Sequence, residues 1–178
     1  VLGLARALRS EGSSVQTFLL DPFPARYEFL LMDDRPELWG ESSNQATASR
    51  ADAVVIVDTC AWRQIGAIRP FVESFRGLKV AVDHHATRDE LADIYLVDES
   101  APAAAELVWQ WCRSAGWRLD RHVAEPLSVG VQFETGEHLG EQPQAVGRFG
   151  AVEALMEVVR LGSCLDQRCG GGICAGGR

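Results

Sequence analysis

Apolar residues recur with two different spacings along the first 130 residues of the chain, and each spacing predicts one kind of element. Spacings of three and four residues predict helices over residues 2–11, 65–75, 101–115 and 121–127. Short continuous apolar runs predict strands over residues 15–20, 53–57, 78–82 and 95–97. Because the run at 53–57 lacks polar alternation, we expect it to be a central parallel strand that is buried on both faces.

Strands that alternate with helices predict an α/β fold with a mostly parallel sheet and flanking helices. In such sheets, ligands bind beyond the carboxyl ends of the strands. Asp58 directly follows the strand at 53–57, and Asp83, His84 and His85 follow the strand at 78–82. We therefore expect these four residues to share one edge of the sheet. Because adjacent imidazoles usually point apart, we expect only one of the two histidines to share a metal with Asp58.

Each of these polar groups also has a plain structural interpretation. Asp58 is a residue type that often caps the turn after a strand. The Asp83-His84-His85 run has the composition of a solvated polar turn. A carboxylate and two imidazoles with no apolar residue between them make poor core, however, and this favours a site.

The apolar pattern stops after about residue 131. Residues 132–147 are rich in Gly and Gln, residues 151–161 allow a helix, and the end of the chain is dominated by Gly, Cys and Arg. We therefore expect a partial catalytic domain over residues 1–136 and a divergent, poorly ordered tail over 137–178. A shifted reading frame explains so abrupt a change; a lineage-specific tail that packs on the sheet is the alternative.

Charge and cysteine content narrow the classes of function. The net charge of −8 excludes a broad basic surface for duplex DNA, although metals can neutralise the phosphates of a short substrate. No apolar run approaches the roughly 20 residues of a membrane span, so we expect no membrane partner. The five cysteines are odd in number and the first two, Cys60 and Cys112, lie in apolar contexts, which favours a reducing cytoplasm.

Several motifs together resemble the DHH-family phosphoesterases, and within that family the nanoRNase and phosphoadenosine-phosphatase group. Val-Val-Ile-Val-Asp-Thr at 54–59 and Lys-Val-Ala-Val-Asp-His-His-Ala-Thr at 79–87 are similar to the second and third family motifs. The segments at 3–12, 21–30 and 103–109 are similar to further parts of that group. The resemblance covers about residues 1–136.

This resemblance implies a pair of divalent ions, usually Mn²⁺ with Mg²⁺ as a possibility, and it implies roles for individual residues. Asp58 would bridge the two ions and His84 would bind the second ion. Asp83 would orient the His84 imidazole, and His85 would contact the scissile phosphate. Carboxylate and imidazole ligands suit manganese.

Two departures from the family pattern stand out. The first motif, His-x-x-x-Asp-x-Asp, is expected just before Val1 and is absent from the chain. The fourth motif, Gly-Ile/Val-x-Thr-Asp-Thr-Gly, corresponds to residues 130–136, where Phe133 replaces Thr and Glu134 replaces the metal-binding Asp. Glu134 is therefore either a third metal ligand or a plain surface carboxylate.

The resemblance implies hydrolysis of short oligoribonucleotides or of 3'-phosphoadenosine 5'-phosphate. A cyclic-dinucleotide phosphodiesterase or a pyrophosphatase is an alternative within the family. A catalytically dead α/β remnant is an alternative from another class. The expected partner is a short oligonucleotide or a phosphorylated nucleotide; the oligomeric state is not predicted.

Overall fold

The computed structural model describes residues 1–32, 34–40 and 42–136 of the chain. The elements in these ranges are helices α1 (Leu2–Ser10), α2 (Ser42–Ala48), α3 (Arg69–Ser74), α4 (Ala104–Ser114) and α5 (Arg121–Gly136), a 3-10 helix (Ala25–Leu30), and strands β1 (Phe18–Leu19), β2 (Glu37–Leu38), β3 (Ala53–Val57), β4 (Leu78–Asp83) and β5 (Ile94–Val97). The predicted tail, including the helix expected at 151–161, lies outside the described residues.

The main sheet contains β3, β4 and β5 in that order, and all three strands run parallel. Val55 pairs with Val80, and Val80 pairs in turn with Ile94. A smaller parallel pair is formed by β1 and β2, in which Phe18 lies opposite Glu37. Parallel neighbours place the carboxyl ends of their strands at one edge of the sheet, and this fixes where β3 and β4 deliver the residues that follow them.

Both faces of the main sheet are covered. On one face, Val80 and Val82 pack into a core that contains residues of α1, α4 and α5, among them Leu4, Val108 and Leu127. On the other face, Ile56 and Ala81 pack with Ile65, Val72 and Leu91. Successive strand residues point to opposite faces, so two apolar layers require the continuous apolar runs seen in the sequence. The predicted α/β class with a parallel sheet is confirmed.

The place of β3 in the sheet differs from the prediction. We expected a central strand buried on both faces, but within the described residues β3 is an edge strand and β4 occupies the centre. Val54, Val55 and Val57 are only half-buried, whereas Val80 to Asp83 of β4 are buried. A continuous apolar run reports that both faces are covered, but it does not report how many neighbours pair with the strand.

The last described helix is longer than predicted. The pattern indicated a helix over 121–127, but α5 continues to Gly136 and contains Pro126. Val123, Leu127 and Val131 are buried at intervals of four residues, so the helix continues as long as that face packs on α1 and α4. The fourth-motif segment, residues 130–136, therefore lies within a helix.

Several other boundaries shift by a few residues. The strand predicted at 15–20 is reduced to Phe18–Leu19, and the helix predicted at 101–115 begins at Ala104. The prediction for α1 holds to within one residue. Gly12, with φ of 89°, follows α1 in the left-handed conformation, and its N–H donates to the carbonyl of Arg9 at 3.0 Å.

Arg6 connects α1 to the 3-10 segment and to α5. Its side chain is 10% exposed and pairs with Asp34 at 3.2 Å. It also donates to the carbonyl of His122 at 2.9 Å and to that of Leu30. A buried guanidinium with this many acceptors is a structural contact, because each acceptor replaces water lost on burial.

Within the described ranges, no helix has the length and apolar character needed to cross a membrane. Cys60 and Cys112 are buried and free of disulfides. The other three cysteines, Cys164, Cys169 and Cys174, lie outside those ranges.

Gly77 provides a test of how closely the sheet is packed. A Cβ at this position would lie 2.4 Å from the carbonyl oxygen of Asp52 and 2.7 Å from the Phe75 ring, whereas a Cβ at Gly66 would meet nothing within 4 Å. We expect Gly77→Ala to lower the free energy of unfolding by about 1–3 kcal/mol, since backbone must move. Gly66→Ala is the matched control and should change it by less than about 0.5 kcal/mol. Equal stability of the two variants in urea unfolding would contradict this packing.

Candidate functional site

Asp58, His84 and His85 meet at the carboxyl edge of the main sheet. Asp58 follows β3, and its N–H donates to the carbonyl of Val82 in β4 at 2.8 Å. The two histidines follow β4. One potential ligand atom from each of the three residues can be chosen so that all lie within 4.8 Å of one another. The parallel register of β3 and β4 is what brings residues 26 positions apart to one place.

Asp58 has an unusual backbone conformation. Its φ is 74°, in the left-handed region that non-glycine residues rarely adopt. Asp and Asn tolerate this region better than other residues, but it still carries a cost that is typical of functional sites. Although 51% of its side chain is exposed, loss of water around the rest raises the pKa of the Asp58 carboxyl, and the imidazoles of His84 and His85 oppose that rise.

Asp83 is fully buried beneath the two histidines. Its Oδ1 accepts hydrogen bonds from the backbone N–H of His84 at 2.8 Å and of His85 at 3.3 Å. The same oxygen accepts from Nδ1 of His85 at 2.7 Å. This hydrogen bond is the main cause that raises the pKa of the His85 imidazole. The family resemblance implied that Asp83 orients the His84 ring, but the structure places that contact on the His85 ring.

The His84 ring is held by a different group. Its Nδ1 lies 3.3 Å from the carbonyl oxygen of Ala101, which can only accept, so Nδ1 carries the proton in that contact. Nε2 then has a free lone pair, and it lies 3.5 Å from Oδ1 of Asp58. Nε2 is buried and has no hydrogen-bond partner. A buried, unpartnered nitrogen beside a carboxylate is costly unless a cation lies between them, so this pair fits a metal ion.

The two imidazoles do not point apart as we expected. Their ring centroids lie 4.4 Å apart with an interplanar angle of 54°. Their exposure differs, because the side chain of His84 is 14% exposed and that of His85 is 47% exposed. His84 therefore faces Asp58 from the interior, and His85 forms the solvent side of the cluster.

Glu134 lies apart from the three clustered donors. It extends from α5, and its negative charge is the smallest of the influences that raise the pKa of His85. Glu134 is not among the residues whose donor atoms lie within 4.8 Å of one another. Glu134 therefore lies outside the Asp58 cluster, although its negative charge contributes to the raised pKa of His85.

Cys60 is a residue of the site that the sequence pattern did not identify. It is 1% exposed, and its thiol faces the Asp83 carboxyl. Burial, followed by the charge of Asp83, raises the pKa of the Cys60 thiol to about 12, so the thiol keeps its proton. Oδ2 of Asp83 is buried and has no hydrogen-bond partner among the described residues. The only sequence signal was its position two residues after Asp58.

Comparisons with known proteins show similarity in sequence and in fold. No family model matches the chain. A segment of 61 residues is 31% identical to the bifunctional oligoribonuclease and PAP phosphatase NrnA of Bacillus subtilis, and it covers 33% of this chain and 20% of that protein. The fold is similar to that of an exopolyphosphatase-related protein from Bacteroides fragilis, with a TM-score of 0.74 and 18% identity. The chain resembles a divergent DHH-family phosphoesterase.

The similarity covers only part of each relative. The match to the Bacteroides protein includes 89% of this chain but 50% of that one, and the match to NrnA includes a fifth of the Bacillus protein. The structural similarity, at 18% identity, shows that the two proteins share an α/β fold. The substrate and the metal content of the site do not follow from it.

Asp58 allows a test that separates backbone strain from charge. Asp58→Asn and Asp58→Ala both remove the carboxylate, but only Asn tolerates the left-handed φ. We expect the Ala variant to be less stable than the Asn variant by about 1 kcal/mol in metal-free urea unfolding. The Asn variant should be at least as stable as the natural chain, because it no longer buries a charge. An Ala variant as stable as the Asn variant would show that Asp58 is not held in this conformation.

Proposed function

We propose that this chain is the metal-binding part of a phosphoesterase that hydrolyses short oligoribonucleotides or 3'-phosphoadenosine 5'-phosphate. The observation that carries the proposal is the buried Nε2 of His84, which lies without a hydrogen-bond partner 3.5 Å from Asp58. The similarity to NrnA, whose name describes both activities, supports the choice of substrate class. The position of the cluster at the carboxyl edge of a parallel sheet is where such folds bind ligands.

In this proposal Asp58 and His84 hold a divalent ion, with Mn²⁺ as the expected ion and Mg²⁺ as the alternative. Carboxylate and imidazole ligands suit manganese. The Ala101 carbonyl fixes the His84 ring so that Nε2 faces the ion, as the second contact of a metal-bound histidine usually does. A bound divalent ion supplies positive charge for the phosphate and lowers the pKa of water.

His85 contacts the scissile phosphate in this proposal. It is the more exposed imidazole, and the hydrogen bond from its Nδ1 to Asp83 fixes the direction of the ring. That contact leaves Nε2 free to donate to a phosphate oxygen or to a leaving oxygen when the ring is protonated. Asp83 favours the protonated ring because its negative charge lies against it.

Two metal ions require more ligand atoms than Asp58, His84 and His85 provide. The family resemblance implies that the other ligands come from the His-x-x-x-Asp-x-Asp motif, which would precede Val1. Glu134 is a further candidate ligand because its charge reaches His85, although it needs a change in side-chain position to join Asp58.

Two alternatives and the cellular location belong to the same proposal. A cyclic-dinucleotide phosphodiesterase or a pyrophosphatase requires the same metal cluster, and a catalytically dead remnant requires that the cluster bind no metal.

The proposed partner is a short oligonucleotide or a phosphorylated nucleotide. Duplex DNA and membranes are not proposed as partners. The free, buried state of Cys60 and Cys112 supports the cytoplasm as the location.

Metal binding distinguishes the roles of the two histidines. A metal that binds only the folded state raises the melting temperature, so Mn²⁺ should raise the Tm of the 178-residue chain. With so few donors, we expect a dissociation constant weaker than about 1 μM. His84→Ala should abolish the Mn²⁺-dependent rise in Tm, and His85→Ala should keep most of it. Equal losses in both variants would make His85 a ligand and contradict its proposed role.

Hydrolysis is tested on the complete product of the gene. Mn²⁺-dependent release of mononucleotide from a 5'-phosphorylated diribonucleotide should be lost in Asp58→Asn, because no other carboxylate of the cluster can replace it, and should fall in His85→Ala. His122→Ala is the matched control, since His122 lies in the exposed first turn of α5. No metal-dependent release by the natural protein, from this substrate or from adenosine bisphosphate, would favour the remnant.

A further inference from the structure

Arg26 lies against two aromatic rings at the start of the 3-10 helix. Its guanidinium carbon lies 4.9 Å from the centroid of the Tyr27 ring and 4.9 Å from that of the Phe133 ring. The two rings meet edge to face, with centroids 5.8 Å apart and an interplanar angle of 90°. We call these three residues the Arg26 cradle. Ring faces carry negative potential, so they hold a cation without neutralising it.

The guanidinium of Arg26 has N–H groups that are free to donate hydrogen bonds. The residue is exposed, and among the described residues it forms no hydrogen bond and no ion pair. Arg6 is different, because its guanidinium is used by Asp34 and by backbone carbonyls. A cation that is fixed by rings and has free N–H groups is arranged to receive an anion from solvent.

The cradle and the metal-binding cluster lie at the same end of α4. Phe133 lies about one helical turn after Gly130 in α5, and a Cβ at Gly130 would lie 2.9 Å from the Cβ of Ala105 in the first turn of α4. The carbonyl oxygen of Ala101, just before α4 begins, lies 3.3 Å from Nδ1 of His84. The cradle therefore lies beside the cluster and not on a remote surface.

The cradle also gives a structural meaning to one departure from the family pattern. Phe133 stands where the fourth family motif has Thr. A threonine side chain has no ring face, so it cannot form the second wall against Arg26. The replacement of Thr by Phe133 thus provides an aromatic wall for a cation.

We propose that the Arg26 cradle binds a second phosphate of the substrate, next to the phosphate held at Asp58, His84 and His85. The inference rests on the proposed function and extends it to a substrate class: nucleotides that carry a phosphate besides the one that is cleaved. Nucleoside 3',5'-bisphosphates and 5'-phosphorylated dinucleotides have this chemistry, and nucleoside monophosphates lack it. The rings hold the guanidinium in place, so less side-chain entropy is lost when the phosphate binds.

The test compares two ligands that differ by one phosphate. Adenosine 3',5'-bisphosphate and adenosine 5'-monophosphate are titrated into the full chain by calorimetry, with Mn²⁺ absent so that no hydrolysis occurs. The natural chain should bind the bisphosphate at least about tenfold more tightly, as expected for charge-assisted hydrogen bonds. Arg26→Gln should remove that preference and leave binding of the monophosphate unchanged.

Variants of the aromatic wall and of a distant arginine complete the test. Phe133→Leu should reduce the preference, because it keeps an apolar side chain but removes the ring, and Phe133→Tyr should keep the preference. Arg50→Gln is the control for net charge, since Arg50 is exposed and precedes the amino end of β3, opposite the cluster. It should behave as the natural chain does. Melting curves confirm that each variant is folded.

The outcomes separate this inference from the proposed function. Three results would overturn the role of the cradle. The Arg26→Gln variant could still bind the bisphosphate more tightly than the monophosphate, Arg50→Gln could lose this preference as fully as Arg26→Gln does, or the natural chain could bind neither ligand. Failure of Mn²⁺ to raise the Tm of the natural chain would overturn the proposed function, while a preference that depends on Arg26 would still establish the phosphate site. Arg26→Gln should keep the full Mn²⁺-dependent rise in Tm.

Discussion

The geometry of the candidate site depends on the buried carboxylate of Asp83. One of its oxygens accepts from the backbone N–H groups of His84 and His85 and from the His85 ring. These three hydrogen bonds determine how the chain turns as it leaves β4. A buried carboxyl needs such partners because it has lost its water, and the site obtains a fixed pair of imidazoles from the same contacts. The negative charge of Asp83 also helps to raise the pKa of the buried Cys60 thiol, which keeps its proton.

Several features of the site are unfavourable for folding alone. Asp58 adopts a left-handed backbone conformation, its carboxyl loses water, and Nε2 of His84 is buried without a partner. Each feature lowers the stability of the chain when no cation is bound. A cation between Asp58 and His84 would offset the cost of the partly desolvated carboxyl and that of the unpartnered nitrogen together. The rest of the structure tolerates these costs because β4 is buried on both faces and the turn is fixed by Asp83. Strain and unpaired polar groups located in one place are typical of binding sites.

The contrast between two arginines shows how charge is distributed around the site. Arg6 is buried, and its guanidinium is used to join α1, the 3-10 segment and α5. Arg26 is exposed and is held by rings. In a chain with a net charge of −8, the free positive charge of Arg26 is local. In our proposal this local charge serves a small phosphorylated ligand and not extended nucleic acid.

The sequence by itself determined the α/β class, the strands at 53–57 and 78–82 and the carboxyl edge at which Asp58 and Asp83 to His85 meet. These features follow from local periodicity and from the fact that parallel strands end at one edge, so they need no knowledge of distant contacts. Tertiary structure alone decided that β3 lies at the edge of the described sheet, that α5 continues through Phe133 and Glu134, and that Arg26 meets Phe133. These features depend on which residues face one another across long stretches of chain, and hydrophobic periodicity carries no information about such pairs. It also carries none about side-chain direction within a turn, so the structure was needed to show that Asp83 binds the His85 ring and not the His84 ring.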